Sequence, residues 1–178
     1  MIHDSVNAIL HDKKSNQKYR IKIETEIFPK TRFPLWLFHH KYPLEGEEYQ
    51  LKIKITNLSD EKLPLQQKCL KKTHRFSQTT QLSTTSPLMT IPELLPGETK
   101  EIDTEDILAI IGGGYWIDYE GIGDIEITNE YESASPQFKS YISRRSDIFQ
   151  TIIAWLTLVL VILTTLYVWL FLLNIFQK

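Results

Sequence analysis

Cys69, the one cysteine in the chain, stands among Lys68, Lys71, Lys72, His74 and Arg75. Flanking cations of this kind favour a thiolate and would make the thiol reactive; the alternative is a structural cysteine with no chemistry. A single cysteine excludes an intrachain disulfide and suits a reducing compartment. Four carboxylates, Asp118, Glu120, Asp124 and Glu126, bracket Gly121-Ile122-Gly123 and are the residue type that holds Ca²⁺, but they lack the order of an EF-hand loop. His39 and His40 are adjacent, so on a strand they would point to opposite faces, and His3, His11 and His74 show no ligand spacing. Gly112-Gly113-Gly114 lacks the preceding strand, helix start and lysine of a phosphate loop, and reads as a mobile loop. No nucleophile–base pair, metal cluster or phosphate cradle stands out, so the chain reads as a non-enzyme without a cofactor.

A second kind of chemistry is recognition. In Phe33-Pro34-Leu35-Trp36-Leu37-Phe38-His39-His40, six of the eight residues are apolar or aromatic, and the prolines keep the segment short. Either it is an edge strand or inter-sheet plug that buries Trp36 and Phe38, or it exposes an aromatic patch that docks a partner or touches a bilayer. Phe33, Leu35, Trp36 and Phe38 are therefore the candidate partner-binding residues.

These groups must be carried by something, and the chain ends in its clearest element. Between Asp147 and Lys178 there is no charge, glycine or proline. Residues 148–177 as a helix would be about 45 Å long, more than the roughly 30 Å of bilayer hydrocarbon requires. This predicts one transmembrane helix. Lys139, Arg144 and Arg145 precede it and only Lys178 follows, which puts the N-terminal domain on the cytoplasmic side. The absence of an apolar stretch behind the N-terminus agrees with that side. Trp155 near one end, and Tyr167 and Trp169 near the other, are placed for interfacial belts. Gln150, Ala154, Thr157, Val161, Thr164 and Val168 form a seam of mostly small residues suited to a homo-oligomer. Asn57-Leu58-Ser59 is a glycosylation sequon that would stay unused on the cytoplasmic side.

Ahead of the anchor the pattern is that of strands. Tyr19, Ile21, Ile23, Thr25 and Ile27 alternate with charged residues, and residues 48–57 alternate as strictly. Pro96-Gly97 marks a turn, 99–104 a strand, and 105–111 a short helical turn capped by Asp103 or Thr104. Residues 115–119 and 124–128 read as a hairpin. Residues 66–86 read as a long polar loop with one short strand near Leu82. The expected organisation is a flexible polar arm with a helical turn at most (1–18), a β-sandwich domain (19–132), a juxtamembrane linker with an interfacial helix (133–147) and the transmembrane helix (148–177). Net charge is -2, but 1–80 carry fifteen Lys/Arg against nine Asp/Glu, while 81–132 carry one against twelve. Such halves either give the domain a basic and an acidic side or interleave on folding. With no aromatic platform beside the basic cluster, nucleic acid is not an expected partner.

The stretches YQLKIKITNLSDEKLP and IPELLPGETKEID resemble immunoglobulin-like β-sandwich modules of the CARDB and adhesion-type groups, in which a strand ending in an Asn-containing turn is followed later by a Pro-Gly turn into another strand. The resemblance covers roughly 19–131 and implies an immunoglobulin-like antiparallel fold, not a ligand. In architecture the chain is also similar to major-sperm-protein-type heads on C-terminal anchors, which recruit peptide motifs. The expectation is a tail-anchored protein whose head binds or assembles a protein or peptide partner at the membrane. The alternative is an externally displayed adhesion or envelope module of the same fold.

Overall fold

A computed structural model describes residues 2–30, 45–76, 82–109, 112–142 and 144–176. Two units divide the chain, 1–143 and 144–178. The first holds strands β1 (Ile2–Asp12), β2 (Gln17–Pro29), β3 (Glu48–Asn57), β4 (Gln66–Phe76), β5 (Leu82–Thr85), β6 (Met89–Ile91), β7 (Thr99–Leu108), β8 (Gly113–Gly121), β9 (Ile125–Asn129) and β10 (Gln137–Ile142). The second is a single helix, α1 (Arg145–Phe176). All strand pairing is antiparallel, in two sheets ordered β7-β3-β2-β1-β9 and β10-β8-β4-β5, with β6 also on β4.

The alternation read from the sequence explains the centre of the first sheet. Ile21, Ile23 and Ile27 of β2 and Leu51, Ile53 and Ile55 of β3 are buried, and their charged neighbours turn outward. They meet Leu70 and Phe76 of β4, Tyr115, Ile117 and Tyr119 of β8, and Phe138 and Ile142 of β10. Thr25 and Tyr119 hydrogen-bond between the sheets at 2.7 Å, which satisfies two hydroxyls that burial would otherwise strand. The two stretches behind the fold resemblance also come together. Asn57 is fully buried; its side-chain amide donates to the carbonyls of Glu61 and Leu94, and its own carbonyl accepts from Gly97. Gly97 takes φ +75, the left-handed conformation that the Pro-Gly turn requires.

Several expectations are corrected. Residues 2–12 are not a flexible arm: they form β1, paired along its length with β2 and on its other side with β9. Ile2, Ala8 and Leu10 are buried, and Val6 partly so, an apolar face masked in the sequence by Asp4 at one inward position. Residues 66–76 are a strand, not a loop, and 99–108 run straight through the predicted helical turn as β7. Residues 113–121 are likewise strand. β8 and β9 are not a hairpin. The chain changes sheet at Gly121–Asp124, so β8 pairs with β4 and β10 while β9 pairs with β1. Gly121 permits this crossing, since a Cβ there would lie 2.4 Å from the Ile125 carbonyl oxygen. Finally, 137–142 form a strand, so this unit continues past 132 and no interfacial helix occupies that stretch.

Candidate functional site

The densest chemistry lies between the sheets, on β4 and β7. β4 turns Lys72 and His74 inward together with Leu70 and Phe76. β7 turns Asp103 and Glu105 toward them from the opposite sheet. The Lys72 ammonium, fully buried, contacts Asp103 Oδ2 and lies 2.8 Å from Glu105 Oε2. His74 Nε2 lies 2.8 Å from Glu105 Oε1 and 3.2 Å from Ser86 Oγ, and its Nδ1 is 2.7 Å from the Tyr115 hydroxyl. Since Nε2 faces a carboxylate, it carries the proton, and in the neutral ring Nδ1 accepts from Tyr115. Burial raises the Tyr115 pKa well above its ordinary value, so that hydroxyl keeps its proton.

This arrangement holds Ser, His and Glu together in the wrong order for nucleophilic catalysis. A triad needs the serine on one imidazole nitrogen and the carboxylate on the other. Here both stand at Nε2, and Ser86 Oγ donates to Glu105 at 3.2 Å. What the cluster does is join the sheets by charge. Burial alone would raise the Glu105 pKa, but hydrogen bonds from His74 and Lys72 more than offset it and hold the carboxyl at about 2 against 4.5. Because the folded value is depressed, this stabilisation is complete above pH 4.5 and is lost as pH falls toward 2. Its size at neutral pH is about 3 kcal/mol. Thermal melts of the wild type should therefore drop more steeply over that acid range than those of Glu105→Gln; parallel slopes would refute the assignment.

The other sequence candidates scatter. Cys69 is buried, its thiol donates to the Gln66 carbonyl at 3.4 Å, and burial raises its pKa, so the flanking cations do not activate it. Asp118 and Glu120 turn to the outer face of the second sheet, where Asp118 lies 2.5 Å from Arg75 and Glu120 3.4 Å from Lys71. Glu126 pairs instead with Lys13. Among the described residues no three His, Cys, Asp or Glu side chains gather as metal ligands. Gly114 gives room to the indole of Trp116, whose ring carbon would be 2.3 Å from a Cβ at that position. Phe33, Leu35, Trp36 and Phe38, with His39 and His40, lie outside the described residues. The two charged halves do interleave: Arg20 pairs with Glu130, Lys30 with Asp106, Lys62 with Glu93, and Lys72 with both Asp103 and Glu105.

In the second unit, 149–172 of α1 form a stretch long and apolar enough to cross a membrane, 24 residues or about 36 Å. Arg144 is exposed and directly precedes the helix, which Arg145 opens. Lys139, grouped with them in the sequence, is instead an exposed residue of β10. Trp155 and Trp169 are separated by about 21 Å along the axis, and Tyr167 lies one turn or less from Trp169. Thr157, Thr164 and Thr165 donate to the carbonyls four residues earlier, so their protons serve their own backbone.

No protein-family model matches the chain, and no curated protein does. Among solved structures, the β-glucosidase of Listeria innocua in complex with glucose is similar at 14% identity and TM-score 0.33, over 72% of this chain and 17% of that one. The β-glucosidase of Kluyveromyces marxianus in complex with glucose gives 12%, 0.31, 67% and 15%. The chain spans less than a fifth of those enzymes, and likenesses this loose carry no argument about activity.

Proposed function

We propose that the chain is a single-pass, tail-anchored assembly module: an immunoglobulin-like head, held at the cytoplasmic face of a membrane, that binds a protein or peptide partner. The observation that carries this reading is the division of labour between the two units. The head buries its own core, whereas none of the apolar window within 149–172 is buried. A helix apolar on every side and unburied by its own chain needs lipid around it. Arg144 and Arg145 ahead of the span, with Lys139 a few residues before, support the cytoplasmic side. The buried charge cluster supports a binding role over catalysis, since its groups are consumed in joining the sheets. Capture of an extended peptide on a sheet edge is the mechanism this fold offers. The test is fractionation. The full chain should stay in the membrane pellet through alkaline carbonate washing, and deletion of 145–176 should move it to the soluble fraction with its partners. Carbonate extraction of the full chain would overturn the anchor.

A further inference from the structure

Resting on that anchored-head reading, we infer that folding and N-glycosylation at Asn57 exclude one another, so the head matures only on a membrane face that no oligosaccharyl transferase reaches. Asn57-Leu58-Ser59 is the one Asn-X-Ser/Thr sequon in the chain. In the fold it is a knot, not an acceptor. Asn57 is fully buried. Its amide nitrogen donates twice, to the Glu61 carbonyl at 2.8 Å and to the Leu94 carbonyl at 3.2 Å, and its Oδ1 accepts from the Ser59 N–H at 3.0 Å. Its backbone N–H donates to the Glu98 carbonyl, and its own carbonyl accepts from Gly97. The serine is as fully committed. Ser59 Oγ accepts from the Arg20 N–H at 2.6 Å and donates at 3.3 Å to the Arg20 carbonyl, which also takes the Leu58 N–H. These residues tie the end of β3 to β2 and to the turn that leads into β7.

Glycan transfer strikes this knot at its centre. Asn57 Nδ2 would displace the lipid diphosphate from C1 of a lipid-linked oligosaccharide, forming an N–C bond and giving up one amide proton. The substituted amide keeps a single N–H, so either the Glu61 or the Leu94 carbonyl loses its donor. The sugar must also leave from a side chain with no exposed surface, and a close-packed interior has no room for it. Timing favours the transferase wherever one is present. The Leu94 carbonyl lies 37 residues beyond Asn57, so a chain entering a lumen keeps its acceptor open until that contact closes. On the cytoplasmic face the knot closes unopposed. A used sequon therefore marks a head that has failed to fold, not one displayed for adhesion.

The test sends the full chain into glycosylating microsomes behind an added signal sequence and separates the products on a lectin resin. Once detergent has opened the vesicles, protease should cut the head of the glycosylated fraction at least tenfold faster than that of the unmodified fraction. Blocking synthesis of the lipid-linked donor should restore resistance to the whole population. A resistant glycosylated fraction would overturn the exclusion, and so would a head that stays sensitive with the donor blocked. A second variant, Lys72→Met, loosens the core away from Asn57 and should raise the glycosylated share severalfold. No rise would also overturn it, because something other than the fold would then be shielding Asn57. The chain without the signal keeps the two readings apart. If intact membranes shield its head while the lumenal glycoform resists protease, the exclusion falls and the cytoplasmic anchor stands.

Discussion

Lys72→Met should destabilise the head by about 3–5 kcal/mol, the cost of leaving a buried charge without its counter-ion. Lys72 is fully buried, and its loss leaves Asp103 and Glu105 facing each other with only His74 between them and the apolar interior. Against a domain stability of about 5–15 kcal/mol, this is enough to populate the unfolded state near room temperature at the lower end of that range. The compensating experiment separates charge from packing. Adding Asp103→Asn and Glu105→Gln to Lys72→Met removes the repulsion and should recover more than half of the loss, because a neutral replacement of a buried ionic group is often tolerated. Urea titrations of the three chains measure it. If the triple variant is less stable than the single one, the cluster is held by something other than its charges.

Removing residues 1–12 should abolish cooperative folding of the head, with loss of the thermal transition and of protease resistance. β1 sits between β2 and β9, and β9 has β1 as its ladder partner. Deletion withdraws Ile2 and Leu10 from the core, worth about 2 kcal/mol each by burial alone. It also unpairs eleven residues of β2. A flexible arm would be dispensable, so a truncated head that melts like the full one would return these residues to that role.

What the sequence disclosed follows from where its inward faces are apolar. β2 and β3 are legible because each second residue, Thr25 and Asn57 apart, is Ile, Leu or Tyr, and the helix is legible because no residue of its span is charged. β4 and the second half of β7 are not, since Lys72, His74 and Glu105 occupy inward positions that alternation assigns to solvent, although 99–104 read as a strand. Each looks polar alone, and their meeting across the core is what buries these charges. β10 is hidden in the sequence for a related reason. Phe138 and Ile142 suit a helical stripe as well as a strand face, and only pairing with β8 decides. Local pattern could not have said that β8 and β9 belong to different sheets, because the turn between them is equally good for a hairpin.

The inward carboxylates of β7 bear on assembly as well as stability. β7 and β9 are the two edges of the first sheet. Inward-pointing charges are one way in which edge strands discourage further pairing, and β7 carries two of them, whereas on β9 the chain itself takes the Ile125 N–H at Ile122 and the Asn129 N–H at Ala134. A sheet with two receptive edges can hand strand after strand along a growing fibre, a particular hazard when many heads crowd one membrane. A sheet guarded at both sides ends at its own strands, so crowding would not lengthen it.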